Sequence, residues 1–203
     1  MYNYCAGHGA GVPGYVLYIK FAFVGACLGV AVVSYFFCRD KRDWFWLVVG
    51  LSFTLAADYF LILHDRHLPG VAVFCFAHVA YILRAVKLRL AYVLPFFVLA
   101  VIGVAYVVLG RDAIFVFALL YAALFVCNIY VSARYLRHNR WLVVTGLLLF
   151  AACDICVLLY DLPLYFSAPA YLRQVYPLIW VFYLPSQGLL AVSAVKIRGC
   201  LPL

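Results

Sequence analysis

The sequence has few charged residues. They make up 11% of its 203 residues, against roughly a quarter in soluble domains. Hydrophobic residues account for 70%, and the mean hydropathy is +1.11. A water-soluble surface cannot be built from this composition, so a soluble globular domain is excluded. The length suits one helical bundle, and the sequence therefore predicts a multi-pass membrane protein.

The sequence also lacks the common catalytic signatures. It has no P-loop, no G-x-S-x-G and no H-E-x-x-H. Catalytic zinc usually needs three protein ligands, and we expect only one His at membrane depth. We therefore expect neither a metal nor another cofactor. The net charge of +8 lies in short clusters between apolar runs, which indicates membrane topology rather than nucleic-acid binding.

Seven apolar runs are long enough to cross a bilayer, which needs roughly 20 residues per helix. They cover about 15–38, 44–64, 69–86, 88–109, 112–133, 141–160 and 172–196. Short connections predict an all-α bundle with antiparallel neighbours. We expect one transmembrane helical domain over 15–198, a polar N-terminal tail over 1–14 and a short C-terminal tail over 199–203.

The distribution of basic residues predicts the orientation. One set of connections, including the C-terminal end, carries most of them: Arg39, Lys41, Arg42, Arg84, Lys87, Arg89, Arg134, Arg137, Arg140, Lys196 and Arg198. The opposite set carries only Arg66, Arg111 and Arg173. Because cytoplasmic loops are enriched in Lys and Arg, we expect the N-terminus outside and the C-terminus in the cytoplasm.

Two apolar stretches each contain an Asp at the same place. GLSFTLAADYFLILHD (50–65) and GLLLFAACDICVLLYD (146–161) place Asp58 and Asp154 at equal distances from their first Gly and last Asp. Both should lie roughly 10 Å below the outer surface. An Asp at this depth costs at least about 2.5–3.5 kcal/mol, which marks a functional candidate. A structural ion pair between Asp58 and Lys20 is the alternative.

Other helices should bring polar groups to the same level. These are Lys20, His78 with Tyr81 three residues later, and Tyr183 with Gln187. The last two belong to a stripe at offsets of 0, 4, 7 and 11 in one helix: Tyr176, Trp180, Tyr183 and Gln187. Alternatively, His78 bonds a carbonyl, and Tyr183 and Gln187 bridge helices. We expect Asn128 nearer the cytoplasmic end, outside this layer.

Two carboxyl groups in a low-dielectric site suit divided acid and base roles. Burial favours the neutral form of a carboxyl group, and a neighbouring carboxylate favours it further. One Asp can then hold a proton while the other stays ionised, helped by Lys20 or His78. This chemistry cleaves acid-labile ethers and acetals through oxocarbenium-like transition states.

At these residues the chain resembles the YhhN-like integral membrane proteins, the lysoplasmalogenase family. The resemblance covers about 18–196, and its second element, G-x-x-x-F-x-x-x-H-x-x-Y, is matched by Gly70, Phe74, His78 and Tyr81. The other carrying stretches surround Asp58, Asp154 and Tyr183 with Gln187. The chain departs from the family pattern in two places, with Ala57 for a Gly and Cys153 for a Ser. It also shows seven spans where the family commonly has eight.

The resemblance implies hydrolysis of the vinyl-ether bond of lysoplasmalogens to a fatty aldehyde and a glycerophospho-alcohol. Asp58 and Asp154 would be the catalytic pair. Lys20, His78, Tyr81, Tyr183 and Gln187 would orient water or substrate. The partners would be a lysophospholipid and the bilayer, which is the plasma or inner membrane in a bacterium. The alternatives are a proton-coupled transporter and a membrane protein that binds lipid without turnover.

Overall fold

The structure, a computed structural model, describes residues 14–38, 40–64, 66–86, 98, 101–102, 106, 113–136, 138–165 and 169–195. Within them lie six long helices, α1 to α6 in chain order: Gly14–Val33, Lys41–Asp58, His67–Ala85, Ala113–Tyr135, Arg140–Tyr165 and Tyr176–Val192. All six are long and apolar enough to cross a membrane. This described part contains no β-strand, only one isolated bridge between Cys38 and Val195.

The six helices coincide with six of the seven predicted spans. Short irregular helical segments extend three of them: a 3-10 turn at Ser34–Phe36 after α1, a π-helical turn at Tyr59–Leu63 after α2, and a 3-10 segment at Ala170–Val175 before α6. The predicted span at 88–109 lies almost entirely outside the described residues. The same holds for the N-terminal tail and for the chain beyond residue 195.

Polar contacts gather at one end of the bundle, which we call the Arg84 end. The Arg84 guanidinium, near the end of α3, makes two 2.8 Å hydrogen bonds to Asp43 at the start of α2, and a third of 2.8 Å to Ser193 Oγ just beyond α6. Asn139, between α4 and α5, donates to the Ser193 carbonyl at 2.9 Å. Helices α3, α4 and α6 therefore all finish at this end, and α3 and α4, which pack together, run in the same direction.

A glycine permits the close packing of α2 against α3. A Cβ atom on Gly50 would lie 2.3 Å from Cε1 of Tyr81, so the Tyr81 ring rests directly on the α2 backbone. The Tyr81 hydroxyl then reaches Thr54 Oγ1, one helical turn further along α2, at 3.4 Å. Gly50 thus allows Tyr81 to pack against α2 and to reach Thr54, one turn before Asp58.

The chain changes its helical geometry directly after Asp58. The π-helical turn Tyr59–Leu63 follows without a break, and such wider turns often occur at functional sites. Leu61 from this turn covers Gly70 of α3, where an added Cβ would meet Leu61 Cγ at 2.5 Å. The π-helical turn is therefore packed against the start of α3. This contact holds the end of α2, and with it Asp58, in place.

Candidate active site

A cavity of about 670 Å³ opens among the helices at the end of the bundle opposite to Arg84. Every one of the six helices contributes to its wall: Leu17 of α1, Asp58 of α2, Val71 of α3, Tyr121 of α4, Asp154 of α5 and Tyr183 of α6. Its volume lies within the roughly 300–1,000 Å³ typical of small-molecule sites. Most of the remaining lining is apolar or aromatic, which is also usual for such sites.

The two Asp residues lie on the wall of this same cavity. Asp58 is almost fully buried, with 3% of its surface exposed, whereas Asp154 is half-buried. Their helices both pack on α6, α5 with an extensive contact and α2 with a smaller one. The two residues that the sequence predicts at equal depth thus line one cavity in the structure.

Each carboxylate accepts a hydrogen bond from a tyrosine on a different helix. The Tyr183 hydroxyl donates to Asp58 Oδ2 at 2.5 Å, and the Tyr121 hydroxyl donates to Asp154 Oδ2 at 2.6 Å. Neither Oδ1 atom has a hydrogen-bond partner among the described residues. Each Asp is therefore oriented through one oxygen and retains the other for a ligand or water.

Lys20 lies among aromatic rings, away from both carboxylates. Its ammonium group is 3.8 Å from the ring centroid of Trp180 and 3.4 Å from the Tyr176 hydroxyl. Both aromatic residues line the cavity, but Lys20 itself does not. The ion pair between Asp58 and Lys20, the structural alternative for Asp58, is not formed. The contact with Trp180 is instead a cation–π interaction, which holds the positive charge just behind the cavity wall.

His78 lies behind the wall, completely buried and stacked on Phe125 at a ring separation of 4.5 Å. Asn128 Nδ2 lies 3.2 Å from His78 Nδ1, and Ser132 Oγ donates to Asn128 Oδ1 at 3.1 Å. The predicted separation of Asn128 from His78 was wrong, because the two side chains are in contact. Helices α3 and α4 run in the same direction, so residues seven positions before their ends, His78 and Asn128, meet.

This chain of contacts favours one tautomer of His78. Because Ser132 donates to the oxygen of the Asn128 amide, its nitrogen faces the ring and donates to Nδ1. The proton of a neutral His78 is then on Nε2, a buried atom with no hydrogen-bond partner within the described ranges. The Tyr121 ring is 5.0 Å from the His78 ring, centroid to centroid. His78 therefore supports the tyrosine that binds Asp154, without lining the cavity.

Tyr81 and Gln187 are also buried outside the cavity lining. Tyr81 is 2% exposed and bonds Thr54. Gln187 is fully buried; its amide nitrogen reaches Ser186 Oγ at 3.4 Å, and its Oε1 lacks a partner in the part of the chain that is described. Of the seven residues expected in the site, Asp58, Asp154 and Tyr183 line the cavity. The other four lie behind its wall.

Tyr121 is the main residue that sequence reasoning missed. A signal was present, because Tyr121, Phe125, Asn128 and Ser132 recur at offsets of 0, 4, 7 and 11. The stripe recognised in α6 has the same spacing. The Tyr in α4 was hidden in a run of apolar residues, whereas two of the four α6 positions carry Trp and Gln.

Among the described residues, no group of three or more His, Cys, Asp or Glu side chains is placed to hold a metal ion. The cavity lining carries two carboxylates with their tyrosines, and also the polar side chains of His67 and Asp161. The fold and the cavity define the class: a multi-pass helical membrane protein with a carboxylate-bearing cavity within the bundle.

The YhhN family model matches residues 17–194. The chain therefore belongs to the YhhN family, whose known activity is that of a lysoplasmalogenase. No curated protein and no solved structure matches the chain.

Proposed function

We propose that the protein hydrolyses the vinyl-ether bond of lysoplasmalogens inside the membrane. The observation that carries this proposal is the placement of Asp58 and Asp154 on one cavity, each with a tyrosine on one oxygen. Membership of the YhhN family supports the choice of substrate. Two oriented carboxyl groups in an apolar cavity are suited to acid-catalysed ether cleavage.

The reaction needs one proton donor and one proton acceptor. One Asp, in its protonated form, transfers its proton to the alkenyl carbon that is not bonded to oxygen, and the resulting oxocarbenium ion is stabilised by the other carboxylate. A water molecule then attacks the cationic carbon and gives its proton to that carboxylate. In the hemiacetal, the carboxyl group that took the proton from water donates it to the glycerol oxygen, and the first carboxylate takes the proton of the hemiacetal hydroxyl. The bond between the former alkenyl carbon and the glycerol oxygen breaks, which releases a fatty aldehyde and the glycerophospho-alcohol. One water is consumed, and both carboxyl groups return to their initial states.

The residues behind the wall would act on this pair indirectly. Tyr183 orients Asp58 directly, and Tyr81 contacts Thr54, which lies one turn before Asp58 on α2. His78 packs against Tyr121, the partner of Asp154. Lys20 supplies positive charge next to Trp180 and Tyr176. We propose that Lys20, His78, Tyr81 and Gln187 position the reacting groups or the head group, while Asp58 and Asp154 perform the proton transfers.

We also propose seven crossings, with the N-terminus outside and the C-terminus in the cytoplasm. Parallel α3 and α4 support a further crossing between Ala85 and Ala113, where 88–109 is predicted to span. Most of the described bases lie at the helix termini that meet at the Arg84 end, which supports its cytoplasmic placement: Lys41, Arg42, Arg84, Arg134 and Arg140. The cavity would then lie in the outer half of the bilayer. Labelling of single cysteines introduced into the connections of a cysteine-free variant, from one side of sealed vesicles, tests this orientation.

The function is tested with purified protein in lipid vesicles and two substrates that differ in one bond. One is a lysoplasmalogen, and the other is its saturated 1-alkyl ether analogue, which cannot be protonated to an oxocarbenium ion. We expect aldehyde from the vinyl ether and no cleavage of the alkyl ether. No aldehyde from the vinyl ether would reject the proposal. Proton uptake by the same vesicles in place of cleavage would favour the transporter alternative.

A further inference from the structure

The cavity has a closed side and an open side. Phe74 and Phe150 close it towards the Arg84 end; they are 6% and 2% exposed, and their ring centroids are 5.7 Å apart. The completely buried His78 lies behind Phe150, with its ring centroid at 6.0 Å. A long apolar chain bound at the two Asp residues cannot continue in this direction.

The wall between α4 and α5 is different, because its residues face both the cavity and the outside of the bundle. Phe115 of α4 lines the cavity and is 42% exposed. Val157 and Leu158 of α5 line it as well, with exposures of 37% and 62%. Ala118 of α4 is a fourth residue that is exposed and lines the cavity. We call these four residues the α4–α5 gap.

The gap lies next to one of the carboxylates. Val157 and Leu158 follow Asp154 by three and four residues, which puts them on the same face of α5, one turn further from the Arg84 end. Polar residues line the cavity one turn beyond the gap: Asp161 follows Leu158 by three residues on α5, and His67 lies at the start of α3. A ligand with a reacting bond at Asp154 can thus place its polar group near these residues and its chain in the gap.

We infer that the α4–α5 gap is both the entrance to the cavity and the subsite for the hydrocarbon chain of a single-chain amphiphile that comes sideways from the bilayer. This inference rests on the proposed function and adds the route and the binding site of the chain. The occupant is apolar because Phe115, Ala118, Val157 and Leu158 offer no polar group. Its chain extends into the lipid, so the cavity does not need to enclose the whole molecule.

The steric test compares two outward-facing positions on α5. Leu158→Trp fills the gap, whereas Ile155→Trp adds the same bulk at a residue that is 59% exposed and does not line the cavity. With Leu158→Trp, we expect the kcat/KM ratio of a long-chain to a four-carbon alkenyl substrate to fall by about tenfold. We expect Ile155→Trp to leave the ratio unchanged. Equal ratios for both variants would overturn the inference.

A second experiment does not depend on turnover or on the stability of the variants. A lysophospholipid with a diazirine in the middle of its chain is irradiated with the wild-type protein in vesicles, and the modified peptides are identified by mass spectrometry. We expect labels on α4 and α5 at the gap, reduced by an excess of unlabelled lysophospholipid. Labels in the gap without aldehyde release would reject the hydrolase but retain the entrance. Aldehyde release with competed labels on other helices would retain the hydrolase and overturn the entrance.

Discussion

The Tyr183 hydroxyl donates a 2.5 Å hydrogen bond to Asp58, and the Tyr121 hydroxyl repeats this relationship with Asp154 at 2.6 Å. If the tyrosines orient the catalytic carboxylates, Tyr183→Phe and Tyr121→Phe should each slow aldehyde release. Hydrogen bonds to charged groups contribute about 1.5–3 kcal/mol, which corresponds to about 10- to 150-fold. Tyr130→Phe is a suitable control, because Tyr130 is on α4, is 64% exposed and does not line the cavity. Wild-type rates for both cavity variants would contradict the orienting role.

The contact between Gly50 and Tyr81 predicts a stability defect. A Cβ at Gly50 would lie 2.3 Å from the Tyr81 ring, so Gly50→Ala must displace the ring or separate α2 from α3. We expect a loss of about 1–3 kcal/mol in the free energy of unfolding, as is common for overpacked sites. Gly29→Ala is the matched control, since nothing lies within 4 Å of its added Cβ. Denaturant unfolding in detergent measures both; equal stability of the two variants would contradict the packing.

The buried ion pair at the Arg84 end predicts a second defect, far from the cavity. The Arg84 side chain is 2% exposed, and its partner Asp43 is 14% exposed. Asp43→Asn leaves the guanidinium without a counter-charge, which should cost about 3 kcal/mol. Asp40→Asn, three residues earlier, should cost less than about 0.5 kcal/mol, because Asn serves equally well as the N-cap residue of α2. The same unfolding measurement would count against the pair if the two variants were equally stable.

The contact between Asn128 and His78 predicts that Asn128 stabilises the inner wall. Asn128→Leu removes the donor to His78 Nδ1 and leaves that buried atom unsatisfied, which should cost about 1–3 kcal/mol. Ser132→Ala removes only the hydroxyl that orients the amide and should cost about 1 kcal/mol. An Asn128→Leu variant that is as stable as the wild type would show that the contact contributes nothing.

Much of the fold could be predicted from hydropathy, because a helix that crosses a bilayer must be long and apolar, whichever neighbours it packs against. Six predicted spans therefore match the six described helices. The sequence also predicts equal depth for Asp58 and Asp154 from the rise per residue, and the two residues line one cavity. Which helices face each other could not be predicted, and this is why Asn128 was placed away from His78.

Side-chain partners were harder to predict than depth. Lys20 and Asp58 have opposite charges and similar predicted depths, yet Lys20 packs on Trp180 instead. In the sequence Tyr121 does not stand out from its apolar neighbours, and only the packing of the helices shows that it contacts Asp154. The π-helical turn after Asp58 has no clear sequence signal, and it places Leu61 against Gly70.

The central claim is that Asp58 and Asp154 act together as acid and base. The most direct measurement is the rate of aldehyde release from a lysoplasmalogen by the wild type and by Asp58→Asn, Asp154→Asn and the control Asp40→Asn, each checked for folding by thermal unfolding. Because general acid–base catalysis contributes about 10²- to 10⁴-fold, we expect each cavity variant to lose at least about 100-fold and the control to match the wild type. Aldehyde release at the wild-type rate by either folded cavity variant would contradict the account.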